Sequence, residues 1–255
     1  VSVLDSFKLD GKVVLITGAG RGLGQAMAVG LAEAGADIAG LDLISLEETQ
    51  AQVEALGQRF MPVTCNLRDA TPADFNEVAG QVVQELGSLD ILVNNAGIIR
   101  REPALEHREE YWNDVIQINL SALFFLSQAV GQVMAKQGRG KIINVASMLS
   151  FQGGILVPSY TAAKSAVAGV TKALANEWAA KGINVNAIAP GYMATDNTAP
   201  IRADAKRNQS ILERIPIGRW GEPADLKGVA VFLASAASDY MQGAIVPVDG
   251  GWLCR

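Results

Sequence analysis

Histidine and cysteine are almost missing from this chain, which holds one His and two Cys in 255 residues. The lone His107, inside the polar run Glu106 to Glu110, gives no basis for a His-ligated metal or a Ser-His-Asp triad and reads as a solvated residue. Cys65 and Cys254 lie far apart and form no Cys-x-x-Cys pair, so no disulfide framework is expected. The opening stretch, Val1 to Lys12, carries no apolar export-signal core, and together with reduced thiols this points to a cytoplasmic setting. Prolines number only nine, and no Gly/Ser/Pro-rich stretch, internal repeat or block of like charge marks a linker. One domain over residues 1–255 is therefore expected. No uninterrupted apolar run approaches the ~20 residues that span a bilayer. The net charge of −5 removes the basic face that a nucleic-acid binder needs.

What is present is a regular alternation. Nearly half of the chain is apolar, and short β-branched runs recur between longer helical patterns. Lys12–Thr17, Ala36–Asp42, Arg59–Asn66, Leu89–Asn94, Lys141–Ala146, Asn184–Ala189 and Ala244–Val248 read as buried strands. Between them, Leu23–Ala34, Leu46–Leu56, Pro72–Leu86, Tyr111–Met134, Ser159–Lys181 and Pro223–Ala234 read as helices. This pattern predicts an α/β fold, a doubly wound (Rossmann-type) parallel sheet of seven strands with helices on both faces. Ligands of such sheets bind outside the carboxyl ends of the strands.

The first strand runs into Thr17-Gly18-Ala19-Gly20-Arg21-Gly22-Leu23-Gly24 and then a helix. The pattern T-G-x-x-x-G-x-G permits a tight turn and close approach of a diphosphate to a helix N-terminus. Asp42 closes the second strand, where a carboxylate accepts hydrogen bonds from a ribose diol and repels a 2′-phosphate. Arg21 is the contrary signal, because a basic residue in the turn can pair with that phosphate. The carboxylate favours NAD over NADP.

Tyr160 and Lys164 are four residues apart, just over one helical turn, and share a helix face. A phenol is a poor base at neutral pH, with an ordinary pKa of about 10. A neighbouring fixed cation favours the phenolate and makes proton exchange with an alcohol feasible. Ser147, arriving from another element, can hold the substrate oxygen beside the phenol. A Tyr-x-x-x-Lys pair alone arises easily by chance, and its weight comes from the motifs around it.

Taken in order, Gly18, Gly22, Gly24, Asn94-Asn95-Ala96-Gly97, Asn119, Ser147, Tyr160, Lys164, Pro190-Gly191 and Val248-Asp249-Gly250-Gly251 resemble the short-chain dehydrogenase/reductase family over almost the whole chain. The finer runs Asn94–Glu102, Lys141–Gly154, Val157–Lys164, Asn186–Thr198 and Arg214–Pro223 are similar to family members that act on hexonic and ketohexonic acids in uronate and pectin catabolism. The resemblance implies an NAD-dependent oxidoreductase with Tyr160 as general acid/base, Lys164 lowering its pKa and binding the nicotinamide ribose, and Ser147 orienting the substrate oxygen. It implies that Asn119 helps hold a proton-relay water. Gly18, Arg21, Gly22, Leu23 and Gly24 would take the pyrophosphate, Asp42 the adenosine ribose, and Asn66, Leu67, Asn95, Ala96 and Gly97 the adenosine side. Pro190, Gly191, Met193 and Thr195 would line the nicotinamide. Asn66 departs from the Asp common in relatives, which weakens one expected adenine contact.

A sugar acid needs a cation for its carboxylate. Arg100 and Arg101, just past a strand end, are the candidates, with Gln152 and Tyr192 as further substrate contacts. Trp178 and Trp220 read as core or interface, and Trp252, by resemblance, as a subunit contact. Gluconate 5-dehydrogenase or 3-oxoacyl thioester reductase chemistry are the enzyme alternatives, and an NAD-binding redox-sensing module is the non-enzyme one. Small residues along the helix of Tyr160 (Ala162, Ala163, Ala166, Ala168, Ala173, Ala175) suit close helix packing, and relatives are commonly tetramers, so a homotetramer is expected.

Overall fold

Each of the seven expected strands is present in the computed structural model, which describes residues 2–255. They are β1 (Val13–Thr17), β2 (Asp37–Asp42), β3 (Phe60–Thr64), β4 (Ile91–Asn94), β5 (Gly140–Val145), β6 (Ile183–Pro190) and β7 (Ile245–Val248). All pair in parallel, in the order β3-β2-β1-β4-β5-β6-β7. The winding reverses between β1 and β4, where Val14 lies opposite Ile91. That reversal opens a crevice above the strands' carboxyl ends, as the doubly wound topology requires.

The strand period of two divides the core into two layers. Val13 and Leu15 face α3 (Pro72–Leu86), α5 (Ala122–Gln137) and α6 (Pro158–Trp178), meeting Phe75, Val82, Leu126 and Leu174. Val14 and Ile16 face the other side, where α1 (Gly22–Glu33), α2 (Glu47–Ala55) and α9 (Lys227–Ala234) supply Met27, Leu31, Val53 and Ala230. Helix ends follow local chemistry. Thr71 and Asp74 form a reciprocal capping box at the start of α3, and Gly87 ends it in the left-handed region at φ 92°.

Three helical expectations are corrected. The single helix expected over Tyr111–Met134 is α4 (Glu109–Ile116), a π-turn (Gln117–Ser121) and α5 in continuous succession. This 29-residue rod is long and apolar enough to cross a membrane, but half of its most apolar window is buried within the protein. The C-terminal turn of α6, Ala179–Lys181, and the opening turn before α9, Pro223–Leu226, are 3-10 rather than α. Two short helices, α7 (Ala199–Ala203) and α8 (Ala205–Leu212), occupy a stretch to which the sequence pattern assigns no element. α8 buries only Ile211, so it has no apolar period to read; its start is fixed by Asp204, whose carboxylate accepts from Arg207 N at 3.0 Å.

Beneath the crevice, a closed polar network joins two strands to two helices. Asn94 donates to Ser127 Oγ (2.8 Å) and Asn144 Oδ1 (2.9 Å), and Asn144 donates to Thr171 Oγ1 (2.9 Å). All four residues are buried, so each lost partner leaves an unsatisfied polar group in a dry core. Replacing Asn144 by Ala is expected to cost about 2–4 kcal/mol in urea unfolding, since it leaves a cavity and removes one partner each from Asn94 and Thr171, which keep only Ser127 and Val167 O. A loss below about 0.5 kcal/mol would show that the network is dispensable.

Candidate active site

The ends of β1 and β4 are tied together before any ligand is considered. Thr17 Oγ1 accepts from the backbone of Asn95 (3.0 Å) and Ala96 (2.9 Å), and the Asn95 amide donates to Thr17 O (2.9 Å) and Gly18 O (3.2 Å). Above them the glycine turn folds onto itself. Gly18 and Gly22 have φ of 68° and 59°, and a Cβ on Gly24 would lie 1.9 Å from Gly18 O. No other residue fits there. The first N–H groups of α1 have no side-chain cap, so they are free donors for an anion.

Along the adenosine side, Asp42 accepts from Gly20 N (2.9 Å) at Oδ2 and from Leu43 N (2.7 Å) and, more weakly, Ile44 N (3.4 Å) at Oδ1. A carboxylate has about four acceptor positions, so Oδ2 can still receive a ribose hydroxyl. Asn66 turns its amide toward Asp69 and its oxygen toward Arg68 N (3.2 Å). Its amide is thus engaged in its own turn, consistent with a weakened adenine contact. Arg21 does not face Asp42's end of the cleft. It reaches across to Asp196, beyond β6, at 2.9 Å.

Ser147 follows β5 directly and caps a short turn, its Oγ accepting from Leu149 N at 3.1 Å. The same hydroxyl shares the cleft with the phenol of Tyr160, which α6 delivers from below. Burial pushes the phenol's pKa above its ordinary value, and the nearby Ser147 hydroxyl and the Arg101 charge pull against it. Two cations stand near the phenol: the Lys164 ammonium, 5.7 Å from the ring centroid as the four-residue spacing leads one to expect, and Arg101. Lys164 is 3 % exposed and donates to Val145 O at 2.6 Å, and burial depresses its own pKa to about 8.

Asn119 sits in the π-turn with both polar side-chain atoms engaged. Its Oδ1 accepts from Ile98 N (2.8 Å) and its Nδ2 donates to Ile98 O (2.9 Å). It therefore fixes the strand-end loop that carries Gly97, and the carboxamide keeps a second lone pair and a second N–H. On the opposite wall, Gly191 packs so closely on Asp249 that a Cβ would lie 2.6 Å from its Cα. Pro190, Met193 and Thr195 line the same cleft, as do Leu23, Leu67 and Tyr192. Its volume is about 790 Å³.

The two candidate arginines part ways. Arg100 pairs with Asp114 at 3.4 Å beside the Tyr111 ring, outside the cleft. Arg101 lines the cleft and donates to Asn197 O at 2.9 Å. Gln152 also lines it and accepts from Arg214, at 3.2 Å, a residue that sequence patterning had not singled out. Two further expectations change. His107 is half-buried rather than solvated, with Nε2 3.1 Å from Ser159 Oγ and its ring edge-on to Tyr111. Trp252 is buried within its own chain, 4.7 Å from Tyr192 between ring centroids, at the cleft wall rather than on an outer face.

A glycine cradle over free helix donators, a ribose-facing carboxylate and a Ser-Tyr-Lys trio in one cleft define a dinucleotide-dependent alcohol–carbonyl oxidoreductase. A family model described as enoyl-(acyl carrier protein) reductase matches residues 18–253. A 2-dehydro-3-deoxy-D-gluconate 5-dehydrogenase of Dickeya dadantii is 59% identical over 99% of this chain and 100% of its own length. A crystal structure from Agrobacterium tumefaciens, described as a candidate 2-deoxy-D-gluconate 3-dehydrogenase with bound NADP, superposes with a TM-score of 0.91 at 53% identity, covering 98% of this chain and 99% of that one. A gluconate 5-dehydrogenase from Burkholderia cenocepacia, in complex with NADP and tartrate, gives a TM-score of 0.94 at 38% identity over 100% of both chains. The chain belongs to the short-chain dehydrogenase/reductase family, enzymes that bind a nicotinamide dinucleotide.

The buried ammonium makes a prediction about stability. In the folded chain Lys164 gives up its proton at about 8 instead of 10.5. Its charge therefore opposes folding below pH 8, by about 3 kcal/mol, and this penalty fades as pH rises toward 10.5. Lys164→Met should melt no lower than the parent at pH 7 while losing turnover, and its relative advantage should shrink by pH 9.5. A variant clearly less stable at pH 7 would contradict the assigned desolvation.

Proposed function

We propose that the protein is an NAD-dependent dehydrogenase acting on a secondary alcohol or ketone of a hexonic acid, most like 2-dehydro-3-deoxy-D-gluconate 5-dehydrogenase, also described as 2-deoxy-D-gluconate 3-dehydrogenase. The observation that carries this reading is the convergence of Ser147, Tyr160, Lys164 and Arg101 on one cleft. In the oxidative direction Ser147 holds the substrate hydroxyl, and the Tyr160 oxygen takes its proton as phenolate. Arg101 stabilises that anion across the site. Bound nicotinamide supplies the hydride acceptor, so one proton goes to tyrosine and two electrons leave with the C–H hydrogen. Lys164, with Val145 O as its anchor, is placed to hold the nicotinamide ribose.

Asp42 supports NAD as the preferred dinucleotide, because a 2′-phosphate beside this carboxylate would meet like charge. Arg21, which could offset that repulsion, is paired with Asp196. The relatives from Agrobacterium and Burkholderia were crystallised with NADP, so the choice of NAD is read from the charges of this chain alone. Free Cys65 and Cys254 accord with a cytoplasmic setting. Ala162, Ala166, Ala168 and Ala173 face away from the buried side of α6, which suits a homotetramer built through that helix; Ala163 and Ala175 pack inward.

Two measurements test the reading. Steady-state assays should give turnover of 2-dehydro-3-deoxygluconate or gluconate with NAD at a kcat/KM well above that with NADP, and Asp42→Ala should narrow the gap by about tenfold or more. Turnover confined to 3-oxoacyl thioesters with NADPH would replace the sugar-acid reading with a fatty-acid reductase. Tyr160→Phe should lower kcat by at least about 1000-fold while dinucleotide binding, followed by fluorescence, persists.

A further inference from the structure

Three arginines without an acidic partner line the cleft, Arg101, Arg207 and Arg214. Among the described residues none of them has a carboxylate at ion-pairing distance, whereas Arg21, Arg59, Arg68, Arg100, Arg108, Arg139 and Arg219 all do. The two acids in the same cleft are already engaged, Asp42 by backbone N–H groups and Asp196 by Arg21. In a chain of net charge −5, these arginines leave uncompensated positive charge in the cleft, and the complement must come from the ligand.

Arg214 is the most firmly held of the three. Its guanidinium stacks 3.9 Å from the Trp252 ring, and Trp252 is wedged in turn against Tyr192. One terminal nitrogen donates to Gln152 Oε1 at 3.2 Å. Arg255 braces the backbone beneath, donating to Arg214 O (3.3 Å) and Glu213 O (2.7 Å). Gln152 accepts only one N–H of a group that carries five, so the planar fork keeps donors for a carboxylate. Gln152 also lies on the loop between Ser147 and Tyr160, which ties the guanidinium to the catalytic segment. Arg101 is placed differently. It faces the phenols of Tyr160 and Tyr192, where a cation acts on the reacting oxygen and the groups next to it.

Resting on the sugar-acid reading above, we propose that Arg214, oriented by Trp252 and Gln152, binds the substrate's carboxylate, and that Arg101 serves the reacting end. The site then selects acids whose carboxylate lies several carbons from the carbon that is oxidised or reduced, and discriminates against 2-hydroxy and 2-keto acids reacting at the carbon beside the carboxylate.

The test compares a hexonate with its methyl ester, which has the same chain and hydroxyls but no charge. For Arg214→Met, KM for the hexonate should rise about 10- to 100-fold, with kcat within about threefold and KM for NAD unchanged. KM for the ester should stay within about twofold of the parent value. Arg214→Lys, which keeps charge without the planar fork, should fall between the two and guards against a folding failure of the Met variant. Arg101→Met should instead lower kcat and move the acid limb of the pH–rate profile to higher pH. A KM rise equal for acid and ester, a rise below about threefold, or a selective acid effect in Arg101→Met would overturn the assignment. Parent enzyme that turns over no hexonate ends the substrate reading and this inference together; parent turnover with an unaltered Arg214→Met KM ends this inference alone.

Discussion

Lys164 keeps an ammonium inside the protein against a single backbone carbonyl, that of Val145, and much of the surrounding architecture serves to hold those two groups together. Val145 ends β5, and Lys164 lies in the second turn of α6. Strand and helix are locked by Ser150 Oγ donating to Lys164 O (2.6 Å) and Ser165 Oγ donating to Leu149 O (3.3 Å). The Asn94–Asn144–Thr171 network then fixes β5 to β4 and to the next turns of α6. A buried charge is costly, and a hydrogen-bond partner held in place offsets part of that cost. The same rigidity sets the geometry of Ser147 and Tyr160, which lie on the two elements so joined.

The cleft above this platform has a division of charge that follows from its walls. At one end Asp42 gathers backbone donors and keeps an acceptor position for a ribose hydroxyl. In the middle the glycine turn offers free N–H groups, and Arg21 closes over it toward Asp196. Elsewhere along the walls guanidinium groups stand without carboxylates. A ligand that is polar at one end, anionic at its centre and anionic again at a further point matches this distribution of charge. The aromatic trio Tyr192, Trp220 and Trp252 forms the apolar backing, with Trp220 held by Asn208 at 2.7 Å.

The sheet was readable because each strand is a β-branched run between turn residues, and the glycine turn because its chemistry admits few other residues. The Ser-Tyr-Lys trio was readable from spacing once the strand ends were placed. What patterning did not reveal depends on contacts between distant segments. Arg214 becomes meaningful only through Gln152 and Trp252, 62 and 38 residues away in sequence. His107 lies in a polar run, yet the chain folds it onto Ser159. That Arg101 joins Lys164 near the phenol is likewise geometric, since it arrives on a separate strand-end loop. The helices α7 and α8 escaped notice because their surface-exposed faces carry no apolar period.

The π-turn at Gln117–Ser121 has a further implication for how this chain can vary. An extra residue in one turn rotates everything beyond it by roughly 100° about the rod's axis relative to an uninterrupted α-helix. Asn119 meets Ile98, and α5 meets α3, only because that offset is present. Side chains there can be exchanged, but a single-residue deletion would swing one half of the rod out of register with the other. The segment is thus constrained in its count of residues more than in their identity, as a gear is by its number of teeth.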